Sequence, residues 1–430
     1  MKIGILTFYR TENFGANLQA LSTYQFIKKH GHEPICIYYV SKNVYEKQLA
    51  LLSTNCQLKE HFDFVDKYMP NQTEVCYTAD DINRVIESNS IEGIIVGSDA
   101  VVQHHPLLSR LYIGRRKPIY IEPVSKDRMF PNLFWGCGLT SKCKFALMSV
   151  SSQNSEYKYF SKSLKSKMSS ALCNFSYISI RDIWTQNMFK TITGKDYPLT
   201  PDPVFAFKQN VGDLLPSKEY LCKKYKLPSK YLLVSLMTQS LSLHCLNELN
   251  SLFERIGVKC VYLPMPTGKG YKHNFDLVIN EPLNPLDWYG LIMYSYGYVG
   301  SNMHPIIVSL SNAVPCFSID FWGVRNFWNH PKKNGSSKVE DIMNRFGLLY
   351  NHRLIDKNQC NVPASEIFNA IVDFPKDQVQ IKSGEMLKAY NIMMNNILDA
   401  NSTSKCKITK CFCKSTPLVL RNSISFLVSH

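Results

Sequence analysis

The stretch Gly297-Tyr-Val-Gly-Ser-Asn-Met-His-Pro-Ile-Ile-Val-Ser-Leu-Ser-Asn-Ala-Val-Pro-Cys-Phe-Ser-Ile-Asp320 leaves the chain few folds to choose from. A short apolar run, a tight turn at Gly300, Ser301 and Asn302, a helix opening near Met303 and a second apolar run after Pro315 make a βαβ unit, which needs a parallel sheet to complete it. His304 falls in the first turn of that helix, where unpaired backbone N–H groups and the positive end of the helix dipole favour an anion. Ser301, Asn302 and His304 together supply the parts for gripping a phosphate or carboxylate. The plainer alternative is that Ser301 or Asn302 only caps the helix.

Other strand ends carry polar residues in the same way. Lys2 to Thr7 reads as a strand that runs into a loop ending at Gly15, and Leu18, Leu21, Tyr24 and Ile27 give the segment from Ala16 to His30 helical spacing, closed by Gly31. Pro34 to Val40 is the next strand. Asn13 and Gly15 therefore lie at the carboxyl end of the first strand, where open α/β sheets bind ligands; a turn requirement alone is the competing explanation for Gly15. Ile91 to Asp99 is a second such transition, with Ser98 and Asp99 at its tip, and a cap or turn role is the alternative for Asp99. Tyr177 to Arg181 is a third, ending in Arg181, with Asp182 placed to cap the helix that follows. Asp202 is held extended by Pro203. These loop tips converge on one crevice.

Lys144 to Val150 is a further buried strand, and Ser155 to Leu172 reads as a helix, four lysines falling between Lys158 and Lys167. A second α/β series begins at Tyr231, with helices at Leu243 to Ile256 and Pro285 to Tyr294, a strand at Lys259 to Leu263, and the βαβ unit above. A basic loop from Phe321 to Lys338, a helix from Val339 to Phe346 and a long helix from Asp377 to Ala400 follow. The chain is thus predicted to be α/β, with a first domain over 1–207, a linker over 208–230, a second domain over 231–400 and a basic, cysteine-containing tail over 401–430. Two similar halves with a cleft between them is the economical architecture.

Charge and cysteine content narrow the function classes. The net charge of +15 calls for anionic partners such as phosphorylated small molecules, acidic glycans or anionic lipid headgroups. No RNA-recognition, zinc-finger or helix-turn-helix signature is present, so no nucleic-acid partner is expected. Fourteen cysteines are scattered without an export signal or a run of about 18 apolar residues, which reads as reduced thiols in a cytoplasmic protein. Cys406, Cys411 and Cys413 offer three soft ligands without a fourth, so no metal site is expected. From Ala400 to His430 there are five basic residues and no acidic one, followed by Ile424-Ser-Phe-Leu-Val. This tail is the candidate for a peripheral contact with the anionic inner face of the cell membrane.

The motifs, taken in order, resemble the polysaccharide pyruvyl transferase family. Lys2-Ile-Gly-Ile-Leu-Thr-Phe8, Asn13-Phe-Gly-Ala-Asn-Leu-Gln-Ala20 and Gly97-Ser-Asp99 look like its opening signatures, and Ile178-Ser-Ile-Arg-Asp182 like its strand-Arg motif. Asp202-Pro-Val-Phe205 is similar to its Asp-Pro-Val element, Ser301-Asn-Met-His304 to its Ser-x-x-His segment, and Ser337-Lys-Val-Glu-Asp-Ile-Met343 to its late helix start. The resemblance implies two Rossmann-like domains facing a cleft, similar to GT-B glycosyltransferases, with the acceptor side in the first domain and the donor side in the second. It implies transfer of pyruvate from phosphoenolpyruvate, a co-substrate and not a cofactor, to two hydroxyls of a sugar or lipid-linked glycan, making a cyclic ketal.

On this resemblance the catalytic residues are His304, Arg181 and Asp99. The expected substrate contacts are Asn13, Gly15, Ser98, Asp202, Ser301, Asn302, Arg325 and Lys338. Alanine at His304 or Arg181 is expected to abolish turnover and leave the chain folded. The sequence departs from the family at Asn302, where many members have arginine, at Pro305, where another group has glycine, at Val102 in place of a usual tryptophan, and at Lys338 in place of arginine. Arg325, Lys332 or Lys333 would then supply the missing basic contact. Two other readings stand beside this one: a sugar-nucleotide glycosyltransferase of the same architecture, and a non-catalytic glycan- or lipid-binding scaffold.

Overall fold

The structure, a computed structural model, describes residues 1–112, 120–140, 143–265, 270–321, 323–327, 330–332, 334–355 and 360–402. Lys333 and the cysteines at 406, 411 and 413 lie outside the described residues.

Strands β1 (Lys2–Leu6), β2 (Glu33–Cys36), β3 (Gly93–Asp99), β4 (Leu111–Tyr112), β5 (Tyr120–Ile121), β6 (Lys144–Val150) and β7 (Phe175–Ile180) belong to the first half. Five of them form a parallel sheet in the order β2-β1-β3-β6-β7, while β4 and β5 pair only with each other, antiparallel. Strands β8 (Tyr231–Ser235), β9 (Lys259–Tyr262), β10 (Leu277–Val278), β11 (Gly297–Gly300), β12 (Cys316–Asp320) and β13 (His352–Leu354) make a second parallel sheet, ordered β10-β9-β8-β11-β12-β13. Every residue of β8, β11 and β12 is buried. Parallel strands covered by helices on both faces require this, and it explains why their sequences read as unbroken apolar runs without alternation.

The strand order places the functional loops. In the first sheet the chain leaves β1 outward to β2, then returns to the other side of β1 as β3. In the second it leaves β8 outward to β9 and β10, then returns beside β8 as β11. Each return is a topological switch point, which opens a crevice at the carboxyl ends of the two strands it separates. The two crevices face each other across the interdomain cleft.

The halves share a core. One hydrophobic cluster runs from Leu18 and Tyr24 through Phe205, Phe207 and Leu221 to Trp288 and Ile307. The rings of Phe14 and Trp288 stack at 5.0 Å with their planes 3° apart. The amide of Gln57 donates to the Leu283 carbonyl at 2.8 Å and accepts from the Leu283 N–H at 2.7 Å.

Two boundaries differ from the sequence expectation. The long helix runs from Lys376 to Ser402 and does not stay with the second half. Near its start Ser383 donates to the Leu310 carbonyl, but beyond it Tyr390 accepts from Asn210 at 3.1 Å and the Ala400 carbonyl accepts from Lys144 on β6 at 3.1 Å. Apolar periodicity tells that such a helix has a buried face and leaves open which sheet buries it. The stretch 208–230, read as a linker, carries the helix Lys218–Lys224, whose Leu221 is fully buried. Among the described residues no helix is long and apolar enough to cross a membrane, and no three His, Cys, Asp or Glu side chains gather as a metal site would need.

Candidate functional site

The cleft, of about 690 Å³, is lined by the loops after β1, β3 and β11 and by Lys338. The helix Phe14–Lys29 opens at Asn13, whose side chain accepts from the Ala16 N–H at 3.4 Å. The helix Met303–Ser311 opens at Asn302, whose side chain does not cap it. Instead the Asn302 amide donates to the Met265 sulfur at 3.4 Å, and the Ser301 hydroxyl accepts from the Met237 N–H at 3.3 Å. Neither Ser301 nor Asn302 is thus the simple cap that the sequence allowed. Asn302, Met303 and His304 line the cleft, so the N-terminal end of a nine-residue helix is directed toward it.

Gly15 sits in the first turn of its helix, and a Cβ built there would lie 2.0 Å from both Cγ and Nδ1 of His304. The backbone of the first domain is therefore pressed against the imidazole of the second. Close approach, not a turn, is what requires glycine at this position; its φ is not in the left-handed region.

Behind the imidazole lies a buried charge cluster. Arg181, with only 4% of its side chain exposed, donates through Nη1 to Asp202 Oδ2 at 2.9 Å, and its Nη2 lies 3.8 Å from Asp99 Oδ1. The same Asp202 oxygen accepts from Gln19 and lies 3.7 Å from His304 Nε2, while its other oxygen accepts from the Val204 N–H at 3.0 Å. Ser98 donates to the Ser149 carbonyl at 2.8 Å and stands 3.5 Å from Arg181 Nη1, which makes it a brace below the cluster. Arg345 donates to the Arg181 carbonyl at 2.6 Å and so ties the end of β7 to the second domain. Among the described residues, the atoms here that are shielded from solvent and meet no hydrogen-bond partner include Arg181 Nε, Arg181 Nη2 and His304 Nε2, with Gln19 Oε1 and Arg345 Nε beside them. A buried donor without an acceptor is costly, and a ligand oxyanion would relieve that cost.

The electrostatics follow from burial and neighbours. Burial raises the Asp99 carboxyl, but Arg181, Lys338 and His304 outweigh it and the net shift is downward. Asp99 takes a left-handed φ of 104°, which aims its carboxylate back at Arg181. Burial and the nearby Arg181 pull the Lys338 ammonium below its ordinary value, against the opposing pull of Asp99, Asp182 and Asp202. Burial pushes His304 down to about 4 although Asp202 and Asp99 oppose it, so the ring is neutral near pH 7.

His61, His104 and His352 are buried in the same way and also pushed down to about 4. Unfolded histidines bind a proton below about 6.5, and these do so only near 4. Their contribution to stability is therefore complete above about pH 6.5 and is lost as pH falls toward 4, at of order 2–3 kcal/mol each. Thermal melts at pH 7.5, 6 and 5 should show a steep fall in melting temperature; equal values at pH 7.5 and 5 would contradict the assignment.

Of the residues singled out in the sequence, His304, Arg181, Asp99, Asp202, Gly15 and Lys338 come together. Asn13, Ser98 and Ser301 support them through backbone bonds, and Asn302 lines the wall. Arg325 does not join them: it lines a neighbouring cleft, donating to the Phe321 carbonyl at 3.2 Å. Lys332 is paired with Glu156 at 3.1 Å. Sequence reasoning passed over Gln19, which lies four residues after Gly15 and so on the same helix face, and that spacing was the available signal. It also passed over Arg128, which reaches the cleft from the end of the short 3-10 turn Lys126–Arg128, too short to give such a signal.

Two facing Rossmann-like sheets with a charged cleft at both switch points define a two-domain α/β protein of the GT-B type. The fold is shared with the UDP-GlcNAc 2-epimerase of Neisseria meningitidis in complex with UDP-GlcNAc, at a TM-score of 0.50 and 9% identity over 93% of this chain and 100% of that one. The UDP co-structure of MnaA from S. aureus compares at a TM-score of 0.48 and 11% identity, covering 92% and 96% of the two chains. A glycosyltransferase from Rickettsia africae compares at 0.43 and 11%, covering 93% and 95%. The family model for polysaccharide pyruvyl transferase matches residues 13–322, and the chain belongs to that family. Comparison with curated proteins finds no match.

Proposed function

We propose that the protein transfers the pyruvyl group of phosphoenolpyruvate to two hydroxyls of one sugar in a surface or capsular polysaccharide, or in its lipid-linked precursor. The observation that carries this reading is the set of unpartnered buried atoms on Arg181 and His304 at the junction of the two domains. Such a set suits a small donor with two anionic groups. The donor's phosphate is placed at the open start of the Met303 helix with Lys338 beside it, and its carboxylate toward Arg181.

In this reading His304 carries the proton. A bound phosphate dianion, added to Asp202 at 3.7 Å, favours the charged ring. The imidazolium protonates the donor's methylene carbon, which becomes a methyl group. The neutral ring then takes the proton of the first sugar hydroxyl as its oxygen bonds to the former enol carbon. The second hydroxyl displaces phosphate from that carbon, its proton leaves with the phosphate, and the ketal closes. No electrons change hands, so the reaction asks for no redox cofactor. The reading also places the enzyme in the cytoplasm, peripheral to the inner face of the cell membrane, where glycan precursors are assembled.

The test is phosphate release from phosphoenolpyruvate with a panel of hexose-containing acceptors. Release that depends on the acceptor and falls at least a thousandfold in His304→Ala is the expected result. Absence of release with every acceptor, in a protein that binds uridine diphosphate, would replace this reading by glycosyl transfer.

A further inference from the structure

Beside the transfer cleft lies a second one, of about 730 Å³, a size typical of ligand sites. Its walls come from both domains: the segment from Gln103 to Glu156 on one side and Phe321 to Arg325 on the other. Arg128 lines both clefts, so the two are neighbours along one interdomain groove.

Three arginines line this second cleft: Arg110, Arg128 and Arg325, the last donating to the Phe321 and Ile355 carbonyls. Arg110 donates to the Glu122 backbone carbonyl at 3.3 Å, and its Nε is shielded from solvent without an acceptor. Among the described residues neither Arg110 nor Arg128 has a carboxylate within ion-pair distance. Of the two acidic residues in the wall, Glu156 is engaged by Lys332 at 3.1 Å and Lys158 at 3.4 Å, which leaves Glu122. The Arg325 guanidinium lies 4.2 Å from the centre of the Phe321 ring. Gln153, Asn154 and Tyr120 are also in the wall.

We propose that this cleft binds an acidic segment of the acceptor glycan, with carboxylate or phosphate substituents on Arg110 and Arg128, so that the neighbouring sugar reaches His304. The proposal rests on the reading of the first cleft as a site of transfer to a saccharide. Arginines without carboxylate partners recognise oxyanions by paired N–H donors. Amides suit sugar hydroxyls, and aromatic faces suit the apolar faces of sugar rings. Arg128 is the shared wall that sets the register between the bound segment and the reacting sugar.

The test measures binding of tetragalacturonide, in the absence of phosphoenolpyruvate, by calorimetry at fixed ionic strength. Its fully methyl-esterified form serves as a neutral control of the same length, and inorganic phosphate as a competitor. The expected result is binding by the wild-type chain and loss of at least tenfold in affinity in Arg110→Gln and in Arg128→Gln. Competition by millimolar phosphate would assign the recognition to the oxyanion alone; its absence, with the ester unbound, would assign it to carboxylates on a sugar chain.

No binding by the wild-type chain, equal binding of the ester, or full affinity in both arginine variants would overturn the proposal. Because phosphoenolpyruvate is absent, the outcome is independent of whether that donor is the right one. Melting curves of the two arginine variants, both altered at partly exposed side chains, check that the fold is retained.

Discussion

Gly15→Ala is expected to lower turnover at least a hundredfold in a protein that still folds. By local rules the change should be favourable, since alanine in a helix is worth about 1 kcal/mol over glycine. The tertiary contact decides otherwise. The added carbon would lie 2.0 Å from Cγ and Nδ1 of His304, far inside contact distance, and the backbone that carries it is held by a long buried helix. The imidazole must leave its place above Asp202 or the two domains must separate at this point. Either movement displaces the His304 ring, the proton carrier of the proposed reading, by about an ångström or more, which is enough to cost about two orders of magnitude in rate. The measurement is acceptor-dependent phosphate release, with a melting curve as control. A near-wild-type rate would show that the ring need not occupy the position it holds here.

Arg181→Ala should lose both activity and stability, which adds a cost in melting temperature to the expectation from sequence that the chain stays folded. Asp202 has 1% of its side chain exposed, and among the described residues Arg181 is the charged donor given at hydrogen-bond distance from it. Removing one partner of such a pair leaves a buried charge uncompensated, at a cost of about 3–5 kcal/mol. The melting temperature should drop by several degrees, and turnover should fall below detection because, in the proposed reading, the donor's carboxylate has lost its guanidinium. His304→Ala gives the contrast: it removes a neutral ring and leaves Asp202 with its arginine, so it should abolish turnover with a smaller loss of stability. Equal melting temperatures for the two variants would mean that the Arg181–Asp202 pair does not hold the site together.

The neutral state of His304 ties these expectations to pH. Because burial holds the free ring near 4 and a bound dianion raises it, the protonated form should become populated as donor binds. In the proposed reading, the acid that protonates the methylene carbon is then made by the substrate.

How much of this was legible beforehand follows the range of the interactions. Strand β1, the turn at Gly300 and the helices that begin near Met303 and after Asp182 are set by neighbours a few residues apart, so apolar runs and cap residues located them. His304, Arg181, Asp99 and Asp202 were found for the same reason: each sits at a strand end or a helix start, and their order along the chain matched one family. What each of them touches was not legible. That Gly15 serves His304, that Gln19 shares Asp202 with Arg181, that Arg325 faces a different cleft and that the final helix returns to the first sheet are contacts between residues far apart in the chain. Their partners are chosen by strand order and by how the two domains pack, and no local pattern of hydrophobicity or turn chemistry encodes that choice. Sequence determined the elements and the chemically competent residues; the packing of two switch points against each other determined which of those residues form one site.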